Sequence, residues 1–163
     1  MAYRNKTYIC FDADIDMHYY NCLKMWNAHD KFEIAFYNAH EINNIWTQSK
    51  EETIKRRLRE RMANTKLLVV LIGEKTKNLF KYVRWEIDLA LKLDVPIIAI
   101  NLNKVNGIDN DRCPAILRAK PVLHIPFKPK AIEHAFKNWV QYYLTAKREG
   151  MINLYYEWFK DLD

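Results

Sequence analysis

The sequence predicts an α/β protein: one parallel sheet with helices on both faces. Three observations lead there. Segments of strand and helix character alternate as β-α-β-α-β-α-β-turn-β-α along the 163 residues, the pattern of a single parallel sheet. Residues 66–72 (K-L-L-V-V-L-I) and 96–102 (P-I-I-A-I-N-L) are apolar on both faces, as central parallel strands must be. The stretches between strands repeat their apolar residues with helical spacing.

Each element has its own signal. Residues 7–11 (T-Y-I-C-F) are short, β-branched and aromatic, and form the first strand. Asp12, Asp14 and Asp16 break it. Tyr19, Leu23 and Trp26 then carry a helix to about His29. Residues 32–37 (F-E-I-A-F-Y) alternate as a second strand. Residues 38–48 (N-A-H-E-I-N-N-I-W-T-Q) form a polar loop, long for a compact domain. Ser49 and Glu52 make a capping box for the next helix, which runs to about Asn64. Gly73 closes the third strand, and a helix follows over 79–93 with Val83, Ile87, Ala90 and Leu91 inward. After the fourth strand comes a polar loop, 103–112, and one helical turn at 113–117. Residues 121–125 are the last strand. The final helix, 130–148, places Ile132, Phe136, Trp139 and Tyr143 on one face and stops at Gly150. The tail at 152–162 is so rich in aromatics that it must pack down or bind a partner.

Composition narrows the function. Half of the residues are hydrophobic and 13% aromatic, which places the chain among globular proteins. The length suits one domain, 1–163, with a core at about 6–148 and an aromatic extension at 149–163. Three glycines exclude a glycine-rich phosphate loop. No apolar run has membrane-spanning length and the start lacks a signal-peptide core, so a cytoplasmic protein is expected. Cys10, Cys22 and Cys113 show no paired spacing, and the five histidines no ligand spacing; no metal site is expected. The formal charge is +6, much of it from residues 55–61 (K-R-R-L-R-E-R). Ile54, Leu58 and Met62 recur every four residues through that run, which makes it the wet face of an amphipathic helix rather than a nucleic-acid surface.

The most informative segment is 69–87, V-V-L-I-G-E-K-T-K-N-L-F-K-Y-V-R-W-E-I. A strand, a glycine and a helix place their loop at the carboxyl edge of the sheet, where open α/β folds build their sites. Glu86 stands between Trp85 and Ile87, and is either a structural ion-pair partner or a catalytic carboxylate. Burial beside Trp85 would raise its pKa and Arg84 would lower it.

Leu71-Ile72-Gly73, Thr76, Asn78, Val83-Arg84-Trp85-Glu86-Ile87 and Ile97-Ile98 resemble the TIR-like domains of the bacterial Thoeris antiphage system, the ThsB type, over about residues 6–125. The resemblance implies a flavodoxin-like five-stranded sheet of order 2-1-3-4-5. It also implies cleavage of NAD between nicotinamide and ribose, with Glu86 at the position of the family's glutamate. NAD would be substrate, not a permanently bound cofactor. The product would be an ADP-ribose-derived, cyclic or otherwise modified nucleotide that diffuses to a separate effector, and a phage-derived trigger would switch on the activity. The family's Ser-Tyr or Ser-Phe pair after the first strand is absent here; Cys10-Phe11-Asp12-Ala13-Asp14 stands in its place.

The remaining candidates flank this site. Phe11 and Trp85 can stack on a base or nicotinamide ring, against the alternative of plain core packing. Asp12, Asp14 and Asp16 can bind ribose hydroxyls or a cation, or cap the first helix. His40 and Trp46 sit in the 38–48 loop, which would close over NAD or join a second copy in a homo-oligomer. Asn101 and Asn103 follow the fourth strand. Two other functions compete: a non-enzymatic assembly module, and a phosphoacceptor receiver. A receiver fits Asp12/Asp14 and Lys128-Pro129 but needs an aspartate where the third strand ends Leu71-Ile72-Gly73-Glu74.

Overall fold

A computed structural model describes residues 6–30, 34–36, 51–79 and 82–162. In chain order the elements are β1 (Lys6–Cys10), α1 (Met17–Asp30), β2 (Ile34–Phe36), α2 (Glu51–Met62), β3 (Thr65–Ile72), α3 (Tyr82–Lys92), β4 (Ile97–Asn101), β5 (Leu123–Pro126), α4 (Pro129–Arg148), β6 (Leu154–Tyr155) and α5 (Tyr156–Phe159), with 3-10 turns at Thr76–Asn78 and Ala115–Leu117. All strand pairings are parallel, in the order β2-β1-β3-β4-β5-β6. The register runs straight across the middle: Ile9 opposes Val69, and Val69 opposes Ile98. Every residue of β3 after Lys66 is buried, which is why that strand reads as an unbroken apolar run.

The sheet separates two cores. Phe11, Leu23, Leu123, Trp139 and Phe159 belong to one, beneath α1, α4 and the tail. Tyr8, Cys10, Met62, Leu68, Val83 and Ile87 belong to the other, beneath α2 and α3. Crossover handedness accounts for the division. The step from β1 to β2 moves one way along the sheet, and the steps to β3 and β4 move the other. Right-handed connections therefore put α1 on one face and α2 and α3 on the opposite one. The basic run lies on α2 as expected, with only Ile54, Leu58 and Met62 buried.

The tail packs down, and it adds a strand beyond the expected five. Gly150, at φ 69°, ends α4. Its amide bonds the Lys147 carbonyl, and the Met151 amide bonds the Ala146 carbonyl at 2.9 Å, a left-handed helix stop for which glycine is best suited. The chain then turns so that Leu154 pairs with Leu123. Phe159 meets Trp139 edge-on at 5.7 Å, and Trp158 meets Tyr142 at 6.1 Å. The aromatic residues thus cover the outer edge of β5, an edge that would otherwise offer unpaired backbone groups.

The Ser49 capping box and the 38–48 loop, with His40 and Trp46, lie outside the described residues. Among the described residues no helix is long and apolar enough to cross a membrane.

Candidate active site

Glu86 lies in the second turn of α3, on the side that faces β1. It is 6% exposed. The Tyr8 hydroxyl donates to its Oε1 at 3.1 Å, and the Cys10 thiol stands close enough to the same carboxyl group to lower its pKa. Burial pushes the Glu86 pKa from 4.5 up to about 7; Cys10, Tyr8 and the charge of Arg61 pull it down, but do not outweigh burial. Burial and the nearby carboxylate also push Tyr8 and Cys10 up, well above their ordinary values, so both remain donors. The result is a carboxyl group that changes charge near neutral pH, gripped by two neutral donors under a helix.

Strand alternation explains the partners. Side chains of β1 point alternately to the two faces. Tyr8 and Cys10 therefore reach α3, while Ile9 and Phe11 reach the other core. This corrects the expected role of Phe11. Its ring is buried on the face away from Glu86 and stacks on Tyr20, with centroids 5.2 Å apart and planes 8° apart.

Trp85 also lies elsewhere. Successive residues on a helix point about 100° apart, so the neighbour of Glu86 in sequence is not its neighbour in space. Trp85 lines a groove between α2 and α3, where the Lys55 ammonium sits 4.5 Å from its ring centroid. The electrostatic partner of Glu86 is Arg61, from α2, and not Arg84.

The acidic turn after β1 folds back on the sheet. Asp12 is buried, and its Oδ1 accepts the Asp14 amide at 3.1 Å, closing an Asx-type turn. Its backbone carbonyl accepts the Ile15 and Asp16 amides. Asp16 is 4% exposed, and its carboxylate lies directly over Gly73. A Cβ on Gly73 would stand 2.2 Å from Asp16 Oδ2, so glycine is needed there for close approach. Burial and the neighbouring Asp12 raise the Asp16 pKa. Asp16 Oδ2 is buried without a hydrogen-bond partner. This turn and Glu86 thus both stand by the carboxyl ends of β1 and β3, Asp16 over Gly73 and Glu86 against Cys10. Among the described residues, no three His, Cys, Asp or Glu side chains gather into a metal-holding group.

Other polar residues here hold the backbone. Thr76 Oγ1 accepts the Gly73 amide at 2.9 Å and donates to the Leu71 carbonyl at 3.1 Å. Asn101 Nδ2 donates to the Val105 and Gly107 carbonyls, and Asn103 Nδ2 donates to Asp109 at 2.8 Å. These bonds tie down the turn after β3 and the loop after β4. Tyr8, Cys10 and Arg61 were missed as site residues in the sequence. The available signal was the shared face of positions 8 and 10.

The family model described as "Thoeris protein ThsB, TIR-like domain" matches residues 8–107. That stretch begins at Tyr8, runs through β4, and includes Cys10, Arg61, Gly73 and Glu86. The chain belongs to the family of TIR-like domains of the Thoeris antiphage defence protein ThsB.

Proposed function

We propose that this TIR-like module consumes NAD, cleaving the nicotinamide–ribose bond with Glu86 as the catalytic carboxylate. The observation that carries the reading is Glu86 itself: buried, gripped by Tyr8 and Cys10, and brought to about pH 7 by its surroundings. Departure of nicotinamide leaves positive charge on the ribose. A carboxylate held in a low-dielectric site stabilises that oxocarbenium-like state strongly. A pKa near neutrality also lets the same group take up or release a proton from a ribose hydroxyl. The buried, hydrogen-bond-hungry Asp16 and its neighbour Asp12 supply acceptors for sugar hydroxyls at the same sheet edge. The product would be an ADP-ribose-derived nucleotide, cyclic or otherwise modified, that diffuses to a separate effector after a phage-derived trigger.

The test is nicotinamide release by purified protein, alone and in extracts of infected cells. Glu86→Gln should abolish it while the variant melts as a folded protein. Turnover by that variant at the parent level would sink the assignment. Absence of any NAD loss under both conditions, together with concentration-dependent assembly in light scattering, would instead favour a non-enzymatic assembly module.

A further inference from the structure

A second cleft opens on the other flank of α3. It has a volume of about 250 Å³ and lies between the Thr76–Asn78 turn, the first two turns of α3 and the segment around residues 113–118. Val83, Ile87 and Ile116 provide its apolar lining, and Lys77, Arg84 and Arg118 its charge. No lining residue is acidic. Three carboxylates of adjoining segments are engaged elsewhere. Glu74 pairs with Arg112, and Asp88 with Lys92. Asp109 is turned into its own loop by Asn103 and by the Asp111 and Arg112 amides.

Among the described residues, no carboxylate forms an ion pair with Lys77, Arg84 or Arg118, and the side-chain partner of Arg118 is the neutral Cys113 thiol. Lys77 Nζ donates to the Asp111 carbonyl, and the Arg118 guanidinium to the Asn110 and Cys113 carbonyls. Those bonds hold two of the three side chains at the cleft without neutralising them. In the groove between α2 and α3, by contrast, Lys55, Arg59 and Lys92 share the lining with a carboxylate, Asp88, which pairs with Lys92.

We propose that the 77/84/118 cleft binds a phosphate or pyrophosphate group of a nucleotide. Converging cations, two of them arginines able to grip phosphate oxygens in pairs, are what such a group requires. The place is also right, since the cleft is at the carboxyl edge of β3 and β4, where open α/β sheets take ligands. The volume is below the about 300–1,000 Å³ of typical small-molecule pockets, so it suits the phosphates of a ligand rather than a whole dinucleotide. The site is separate from the Glu86 carboxyl, which faces β1, and does not depend on the catalytic reading.

Titration calorimetry of the full chain with inorganic pyrophosphate tests this. Saturable binding is expected, weakened about tenfold or more by Arg84→Gln or by Arg118→Gln, whereas Lys92→Gln, which removes the same charge from the groove between α2 and α3, should change it less than about twofold. Thermal melts check that each variant is folded. Lack of saturable binding by the parent protein would overturn the proposal, as would an equal loss in Lys92→Gln, the signature of diffuse attraction. Glu86→Gln should bind pyrophosphate normally, which separates failure of this proposal from failure of the catalytic one. Competition by NAD would identify the substrate's own pyrophosphate as the ligand. Pyrophosphate binding undisturbed by saturating NAD would identify a separate phosphate-bearing effector.

Discussion

Replacing Glu86 with glutamine should make the protein more stable above neutral pH, and this sign is the sharpest check on the site. The folded-state pKa is about 7 against an ordinary 4.5. Folding therefore favours the protonated acid. The stability associated with that preference is fully present below pH 4.5 and is lost as pH rises through 7. At about 1.4 kcal/mol per pKa unit, the gap amounts to about 3 kcal/mol at pH 8.5. Glutamine matches the neutral acid in shape, can still accept from Tyr8, and never ionises. At pH 8.5 Glu86→Gln should gain about 3 kcal/mol, or roughly 6–12 °C in Tm for a domain of this size. At pH 4.5 the two proteins should melt within about 1 kcal/mol of each other.

Thermal melts of both proteins at the two pH values measure this directly. A structural ion-pair carboxylate predicts the opposite sign, because removing one partner strands the other charge and destabilises the fold. Destabilisation at pH 8.5, or a shift independent of pH, would refute the burial argument. In the parent protein this dependence is partly masked. His124 is fully buried with neither ring nitrogen bonded, and burial lowers its pKa from 6.5 to about 4. Folding favours its neutral form, so that stability is present above pH 6.5 and lost as pH falls through 4. Between about pH 4.5 and 6.5 the two groups act in opposite directions with similar size.

His124→Leu should therefore remove the acid side of the balance. Relative to the parent protein, its urea midpoint should rise between pH 8 and pH 4, by the equivalent of about 3 kcal/mol. Gly73→Ala should destabilise by about 1–3 kcal/mol through the clash with Asp16, and Asp16→Ala in the same chain should recover part of that loss; a double-mutant cycle with no coupling would refute the close approach. Phe159→Ala should cost about 3–5 kcal/mol by opening a cavity against Trp139, measured by urea unfolding, and a cost below about 1 kcal/mol would show that the tail is not part of the core.

The elements that were easiest to read are those whose evidence is local. Double-faced apolar runs marked β3 and β4, and four-residue spacing marked α2 and α4, because one segment carries the whole signal. Boundaries moved by up to three residues where caps and 3-10 turns decide them: the helix expected from residue 79 begins at Tyr82, after a separate turn at Thr76–Asn78. Residues 154 and 155 resisted reading for another reason. Two residues have no periodicity, and β6 exists only because the β5 edge is there to pair with.

The site partners form an intermediate case, since they follow from rules that join elements. With a strand order that runs outward from β1 to β2 and back across to β3 and β4, right-handed crossovers require α1 on one face and α2 and α3 on the other. The period of two in β1 then divides residues 8 and 10 from 9 and 11. Phe11 shares its face with the Tyr20 and Leu23 side of α1, so a glutamate on α3 can meet Tyr8 and Cys10 but not Phe11. The same step sends Trp85 toward α2, one helical position away from the carboxyl group. Glu86 could thus be singled out by its place in a motif, while the groups that set its charge required the handedness of the sheet. Burial on that face of the sheet, only partly offset by those groups, is what raises the carboxyl pKa to about 7 in this fold.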